Sequence, residues 1–186
     1  MARPPKARVP LKLAALQLFV ERGVHATGIR EIAKHAGCSE AALYRHWSNK
    51  DDLVDKLFRE HLVEVTDLLQ RAITAETSIK AKIEGAVRAC YTLYDEQPLV
   101  FRFVLLVQHE VSKNLGSDQR TPHDVVIELV EEAKRAGEAK GDAVVLAAAL
   151  VGVFLQTATY VLYGRLPGPL STYTAPVTAT ALKILK

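Results

Sequence analysis

Apolar residues recur three and four positions apart along almost the whole 186-residue chain, and nowhere do they alternate with polar ones between turn signals as a β-hairpin requires. That spacing restricts the fold to helices. Leu11, Ala14, Ala15, Leu18 and Phe19 form the first stripe, and Gly23 ends it where a left-handed residue is wanted. Leu53, Leu57, Phe58, Leu62, Val65, Leu68 and Leu69 form the next, followed by Ile79, Ile83, Ala86, Val87, Cys90 and Tyr94. Pro98 opens a segment reaching residue 111, and Val125, Val126, Leu129, Val130 and Ala133 give another. The prediction is an all-α chain of about nine helices, with loops at 114–124, 136–142 and 166–176, where Gly, Pro, Asn and Asp gather.

Charge divides the chain where periodicity does not. Residues 1–50 hold nine Lys or Arg against three acids, so a balance of +6 there faces −3 over the rest of a chain whose net charge is +3. A basic end on a mildly acidic remainder is the footprint of a polyanion-binding module joined to a part that binds no polyanion. The boundary is expected near residue 50, giving an N-terminal domain 1–50 with a basic tail 1–8, and a C-terminal domain 51–186. Two cysteines, Cys38 and Cys90, are too few for a disulfide framework or a four-cysteine zinc site, which fits a reducing cytoplasm. The apolar run after the basic start is short, broken by Gln17 and closed by Glu21 and Arg22, so no signal peptide is expected.

The segment 27–47 carries the sharpest pattern. Ile29, Ile32, Ala33 and Ala36 give a short helix one apolar face, Gly37 permits a tight turn, Ser39 is an N-cap, and Ala42, Leu43 and Trp47 face back inward. This is helix-turn-helix spacing: small Ala33 near Gly37 lets two short helices cross closely. An ordinary αα-hairpin is the alternative, against which the basic excess and the exposed polar positions count.

Four ordered motifs extend the pattern: F-x-x-x-G at Phe19 to Gly23, I-A-x-x-A-G at Ile32 to Gly37, S-x-x-x-L-Y-R-H-W at Ser39 to Trp47, and N-K-x-x-L at Asn49 to Leu53. With them the run from Leu11 to Leu53 resembles the DNA-binding domain of TetR-family transcriptional regulators. It departs at Trp47, where phenylalanine is usual, and at Gly28, where Thr or Ser is common. The remaining residues match only in helical layout.

The resemblance implies that Tyr44 and Lys50 grip DNA phosphates, Lys50 from the start of the connecting helix, and that Thr27 supplies the capping and phosphate-contacting hydroxyl that Gly28 lacks. It places Ser39, Glu40, Ala41 and Arg45 along the exposed side of the recognition helix, with Arg30 able to reach a base edge. Glu40 can accept from cytosine N4, Ala41 can meet a thymine methyl, and either arginine can fork onto guanine. Glu40 and Arg45 as solvated helix charges is the competing reading. His46 is assigned a phosphate contact rather than a metal. Arg3, Lys6 and Arg8 either enter a minor groove or form a plain tail.

Ala143 to Gly164 is a run of 22 residues without a charge, long enough to cross a bilayer. Its N-terminal flank lacks an aromatic belt, Gln156, Thr157 and Thr159 are polar, and a helix apolar all round also suits a dimer core. Ala148 and Gly152 give a smooth strip for helix contact, and a last helix from Pro176 carries Val177, Ala181, Ile184 and Leu185. The resemblance implies that these two helices pair with their two-fold mates, so a homodimer and no membrane span is the expectation.

The resemblance also implies a cavity in the C-terminal domain that takes a small apolar or aromatic effector and releases operator DNA. Tyr91, Tyr94, Phe101 and Phe103 are candidate lining residues, as are Leu106, His109, Gln156 and Tyr160. No phosphate loop, G-x-S-x-G, H-E-x-x-H or metal-ligand spacing is present, so neither an enzyme nor a cofactor or metal is expected. The rival readings are a DNA-binding protein without effector control and a helical enzyme or lipid carrier with an incidental helix-turn-helix.

Overall fold

The structure is a computed structural model describing residues 7–111 and 120–186, the side chains of 109–111 excepted. The described residues form nine α-helices and no strand: α1 (Arg8–Arg22), α2 (Ile29–His35), α3 (Glu40–Tyr44), α4 (Lys50–Thr74), α5 (Ile79–Glu96), α6 (Pro98–Val111), α7 (Pro122–Arg135), α8 (Ala143–Leu162) and α9 (Thr174–Ile184), with a 3-10 turn at Leu170–Tyr173. Two ends differ from expectation. α7 starts inside the expected loop because Thr121 and Asp124 form a capping box around Pro122: the Thr121 N–H donates to Asp124 Oδ2 at 2.8 Å and the Asp124 N–H to Thr121 Oγ1. The Thr121 hydroxyl, donating to Asp124 Oδ2 at 2.7 Å, and then the Thr121 N–H hold the Asp124 carboxyl below its usual range. α9 starts at Thr174 rather than Pro176, since a proline in a helix's first turn costs no hydrogen bond.

Packing separates two compact units, one of described residues up to His61 together with α6, the other of Leu62–Gln97 with residues from Arg120 onward. The first therefore extends past residue 50 into α4 and takes in α6, which charge and composition place in the C-terminal domain. The reason is Phe103. It is fully buried, and its ring stacks on Phe19 of α1 with centroids 5.9 Å apart. The same unit buries Leu11, Leu18, Ile32, Leu43, Trp47, Leu53 and Leu57, none more than 1% exposed. At the rim, Glu60 of α4 receives both Arg8, at 2.6 Å, and Lys12 of α1.

In the second unit Tyr91 stacks on Phe154, centroids 4.7 Å apart, and donates its hydroxyl to the Phe154 carbonyl at 3.1 Å. Asp95 accepts from the Leu170 and Ser171 N–H groups at 2.8 and 2.9 Å, fastening the 3-10 turn to the end of α5. A Cβ on Gly85 would meet the Ala72 carbonyl oxygen at 3.2 Å, which is how closely α4 and α5 approach there. Cys90 lies in this core, where burial pushes its thiol up to about 12 and keeps it from forming a reactive thiolate.

Candidate nucleic-acid interface

Two consecutive backbone devices build the turn between α2 and α3. Gly37 sits at φ +64°, the Gly37 N–H donates to the Lys34 carbonyl at 3.1 Å and the Cys38 N–H to Ala33 at 2.8 Å, the paired bonds of a Schellman stop. Ser39 then starts α3, its hydroxyl accepting from the Ala42 N–H at 3.2 Å. With Ala33, Ala42, Leu43 and Trp47 buried, the other side of α3 is fixed outward. Ser39, Glu40, Ala41, Tyr44 and Arg45 are all exposed, Tyr44 at 52%. An outward aromatic of that size on a five-residue helix is available to a partner rather than to a core.

Arg30, with its side chain 91% exposed, leans from α2 toward this row, its Nε 3.9 Å from Glu40 Oε1. That distance leaves both groups largely hydrated, so either can turn to a nucleic acid at little cost. His46 is half-buried, its ring 5.4 Å from Trp47 in an edge arrangement that fixes its plane. Gly28 is exposed at the N-cap of α2 and makes no side-chain cap.

Two expected contacts are not where the resemblance puts them. Thr27 is 1% exposed, and its hydroxyl donates to the Gly23 carbonyl at 2.8 Å with Leu18 O at 3.3 Å, so it neither caps α2 nor reaches a phosphate. Lys50 points inward as well: its ammonium donates to the carbonyls of Val24, Thr27 and His25 at 2.9, 3.2 and 3.3 Å. Sequence reasoning missed both because they join side chains to the backbone of the α1–α2 turn, a geometry with no residue-type signature. Among the described residues no group of three or more His, Cys, Asp or Glu side chains is placed to hold a metal ion.

A family model described as "Bacterial regulatory proteins, tetR family" matches residues 13–57, the segment that forms α1 to α3 and the start of α4. The HTH-type transcriptional activator FasR of Mycolicibacterium smegmatis is 26% identical over 157 residues, 82% of this chain and 71% of that protein. The fatty acid degradation regulator FadR from Bacillus halodurans superposes with a TM-score of 0.84 at 21% identity, over 98% of this chain and 97% of that one. FadR from Bacillus subtilis, solved in complex with stearoyl-CoA, superposes at 0.77 with 17% identity over 96% and 99%. Residues 13–57 match the TetR-family model, and the described chain shares the fold of these regulators.

The eight candidate effector-lining residues do not converge on one place. Phe101, Phe103 and Leu106 lie on α6 in the first unit, Phe103 taken up by its stack on Phe19. Helix α6 includes His109, whose side chain is outside the described residues. Tyr91 and Tyr94 are buried in the second unit's core, Tyr91 spent on Phe154, while Gln156 and Tyr160 are exposed on α8. Among the described residues this unit carries a groove of about 440 Å³ between the end of α4 and α5, lined by Leu68, Ala72, Ala75, Ala89 and Leu93 with Thr92, Arg88, Glu76 and Glu96 at its polar edges. Its signal in the sequence is the run of small residues facing Gly85, which reads equally well as close helix packing.

The expected dimer residues divide in the same way. Ala148 and Gly152 are exposed, and with Val145, Gln156, Tyr160 and Tyr163 they make one stripe along α8. Val177 and Ala181 are buried within the chain's own second unit, and Ile184 is half-buried. The face that α9 leaves open carries Ala175, Pro176, Ala179, Thr180 and Lys183 instead. Val177, Ala181 and Ile184 do share one helix face, but that face packs within the chain's own unit, since an apolar stripe states that a face is buried and not against what. α8 is long and apolar enough to cross a membrane by composition.

Proposed function

We propose that this chain is a cytoplasmic, homodimeric repressor that reads a palindromic operator with α3 and lets go of it when a small apolar effector binds its second unit. The observation that carries the reading is the row Ser39, Glu40, Ala41, Tyr44 and Arg45, held outward by the Gly37 stop, the Ser39 cap and buried Trp47. Tyr44, His46 and Gly28 position the domain on phosphates, whereas Arg45, Glu40, Ala41 and Arg30 read base edges. The domains of this function are the helix-turn-helix of 1–50 and the effector and dimer region of 51–186, the first stabilised by α6. The chain is a regulator, not an enzyme.

The α8 stripe supports the dimer: an exposed row containing Ala148 and Gly152 admits a second helix at short range, and pairing removes Val145, Tyr160 and Tyr163 from water. The α4–α5 groove supports an effector with an alkyl chain, since its floor is aliphatic and its volume falls within the usual range of about 300–1,000 Å³ for ligand sites. The complex of the Bacillus subtilis FadR with stearoyl-CoA favours the same class. The FasR name offers activation as the second reading, and a reporter driven from the operator separates the two, since deleting a repressor raises expression and deleting an activator lowers it.

Base reading is tested by binding-site selection. Arg45→Ala is expected to relax preference at one or two operator positions by about 1–3 kcal/mol each, whereas Tyr44→Phe weakens all sequences alike. An unchanged site profile for Arg45→Ala removes Arg45 from the readout. Effector control is tested by reciprocity: a fatty acyl ligand that weakens operator binding about 5- to 150-fold is itself weakened by operator to the same extent. Equal ligand affinity with and without operator contradicts that control.

A further inference from the structure

We infer that Lys50 is a positioning residue of the helix-turn-helix and not a phosphate ligand: its ammonium, bound to three carbonyls of the α1–α2 turn, ties the start of α4 to the segment from which α2 springs. The inference rests on the DNA-binding reading above.

An ammonium has three N–H donors, and Val24, His25 and Thr27 offer three carbonyls within 2.9–3.3 Å of Nζ. The Gly23 carbonyl of the same turn is taken by the Thr27 hydroxyl. Between them, Lys50 and Thr27 satisfy the carbonyls of residues 23, 24, 25 and 27, immediately before the Gly28 N-cap of α2. To turn to a phosphate, Lys50 would have to give up bonds to this turn, and the His25 and Thr27 carbonyls would lose their lysine donor.

The start of α4 is also unsuited to an anion. Asn49 Oδ1 accepts from the Asp52 N–H and Asp52 Oδ2 from the Ser48 N–H, both at 2.8 Å, so side chains of the protein occupy two backbone donors around the start of α4. Asp51 and Asp52 stand in the first turn, and the Ser48 N–H bond holds the Asp52 carboxyl below its usual range. Two carboxylates beside a helix N-terminus complete its dipole from within and repel a phosphate. Lys50 therefore acts through the turn that sets the direction of α2.

The test compares wild type, Lys50→Met and Lys50→Arg on a duplex selected by the wild-type chain, across a salt series, with folding of each variant checked by circular dichroism. Lys50→Met is expected to bind about tenfold more weakly or worse with an unchanged slope of log K against log salt, and Lys50→Arg is expected not to restore binding, because a planar fork does not reproduce three converging ammonium bonds. A slope shallower by about 1.8 in Lys50→Met, about 0.9 from each protomer of the dimer, restored by Lys50→Arg, overturns the inference in favour of a phosphate contact. Wild-type affinity in folded Lys50→Met overturns it in favour of a purely structural role. Amide hydrogen exchange without DNA supplies an independent readout: faster exchange across residues 23–28 in Lys50→Met is expected, and unchanged exchange contradicts the tether. A wild-type chain that binds no duplex would refute the DNA-binding reading, and the exchange result would still decide what Lys50 holds.

Discussion

Gly152→Arg is expected to leave each chain folded and to abolish its pairing. Gly152 is exposed on α8, and a Cβ built there meets nothing within 4 Å, so the single chain has room for the larger side chain. Arginine is also the better helix former, by about 0.8–1 kcal/mol. The cost falls on the dimer, where a guanidinium in an apolar helix contact lacks a partner and loses several kcal/mol of hydration. A palindromic operator grips both halves of a dimer at once, so a monomer also forfeits roughly 10²–10⁴ in apparent DNA affinity. Sedimentation velocity should show a folded monomer. A clean dimer of wild-type stability would mean that another face mediates pairing.

Phe103→Ala is expected to destabilise the DNA-binding unit by about 3–5 kcal/mol, although residue 103 lies about sixty positions from the recognition helix in sequence. The ring is fully buried against Phe19, and the truncated site is enclosed by side chains that already pack one another. Trp47, the chain's one tryptophan, is buried in that unit and gives a fluorescence signal specific to it. Urea titration followed at Trp47 should show the midpoint falling sharply. If Phe103 lined an effector cavity instead, the Trp47 transition would stay in place while ligand affinity changed.

These two substitutions mark where the sequence can be read and where it cannot. The helix-turn-helix is legible because all its determinants lie within about twenty residues: a stop at Gly37, a cap at Ser39, small Ala33 at the crossing and an inward Trp47, each imposing its own local geometry. Helix α6 is legible as a helix but not as part of the first unit, because an apolar stripe states that a face will be buried and not against what. The same limit applies to α9, where Val177 and Ala181 read as interface and prove to be core, and to α8, where Gln156 and Tyr160 read as pocket and prove exposed. Lys50 shows a third limit. A lysine at a helix start predicts an anion partner, yet a cluster of backbone carbonyls supplies the same negative potential with no residue type to announce it.

The central claim is that the outward row on α3 binds operator DNA as part of a dimer, and its most direct test is the salt dependence of binding to a duplex selected by this chain. Phosphate neutralisation releases counterions, so log K should fall linearly with log salt, at about −0.9 per phosphate contacted. A dimer making about six such contacts is expected to lose roughly a thousandfold in affinity between 50 and 200 mM salt, with one dimer bound per duplex. Selection that enriches no sequence, or binding indifferent to salt across that range, would contradict the account.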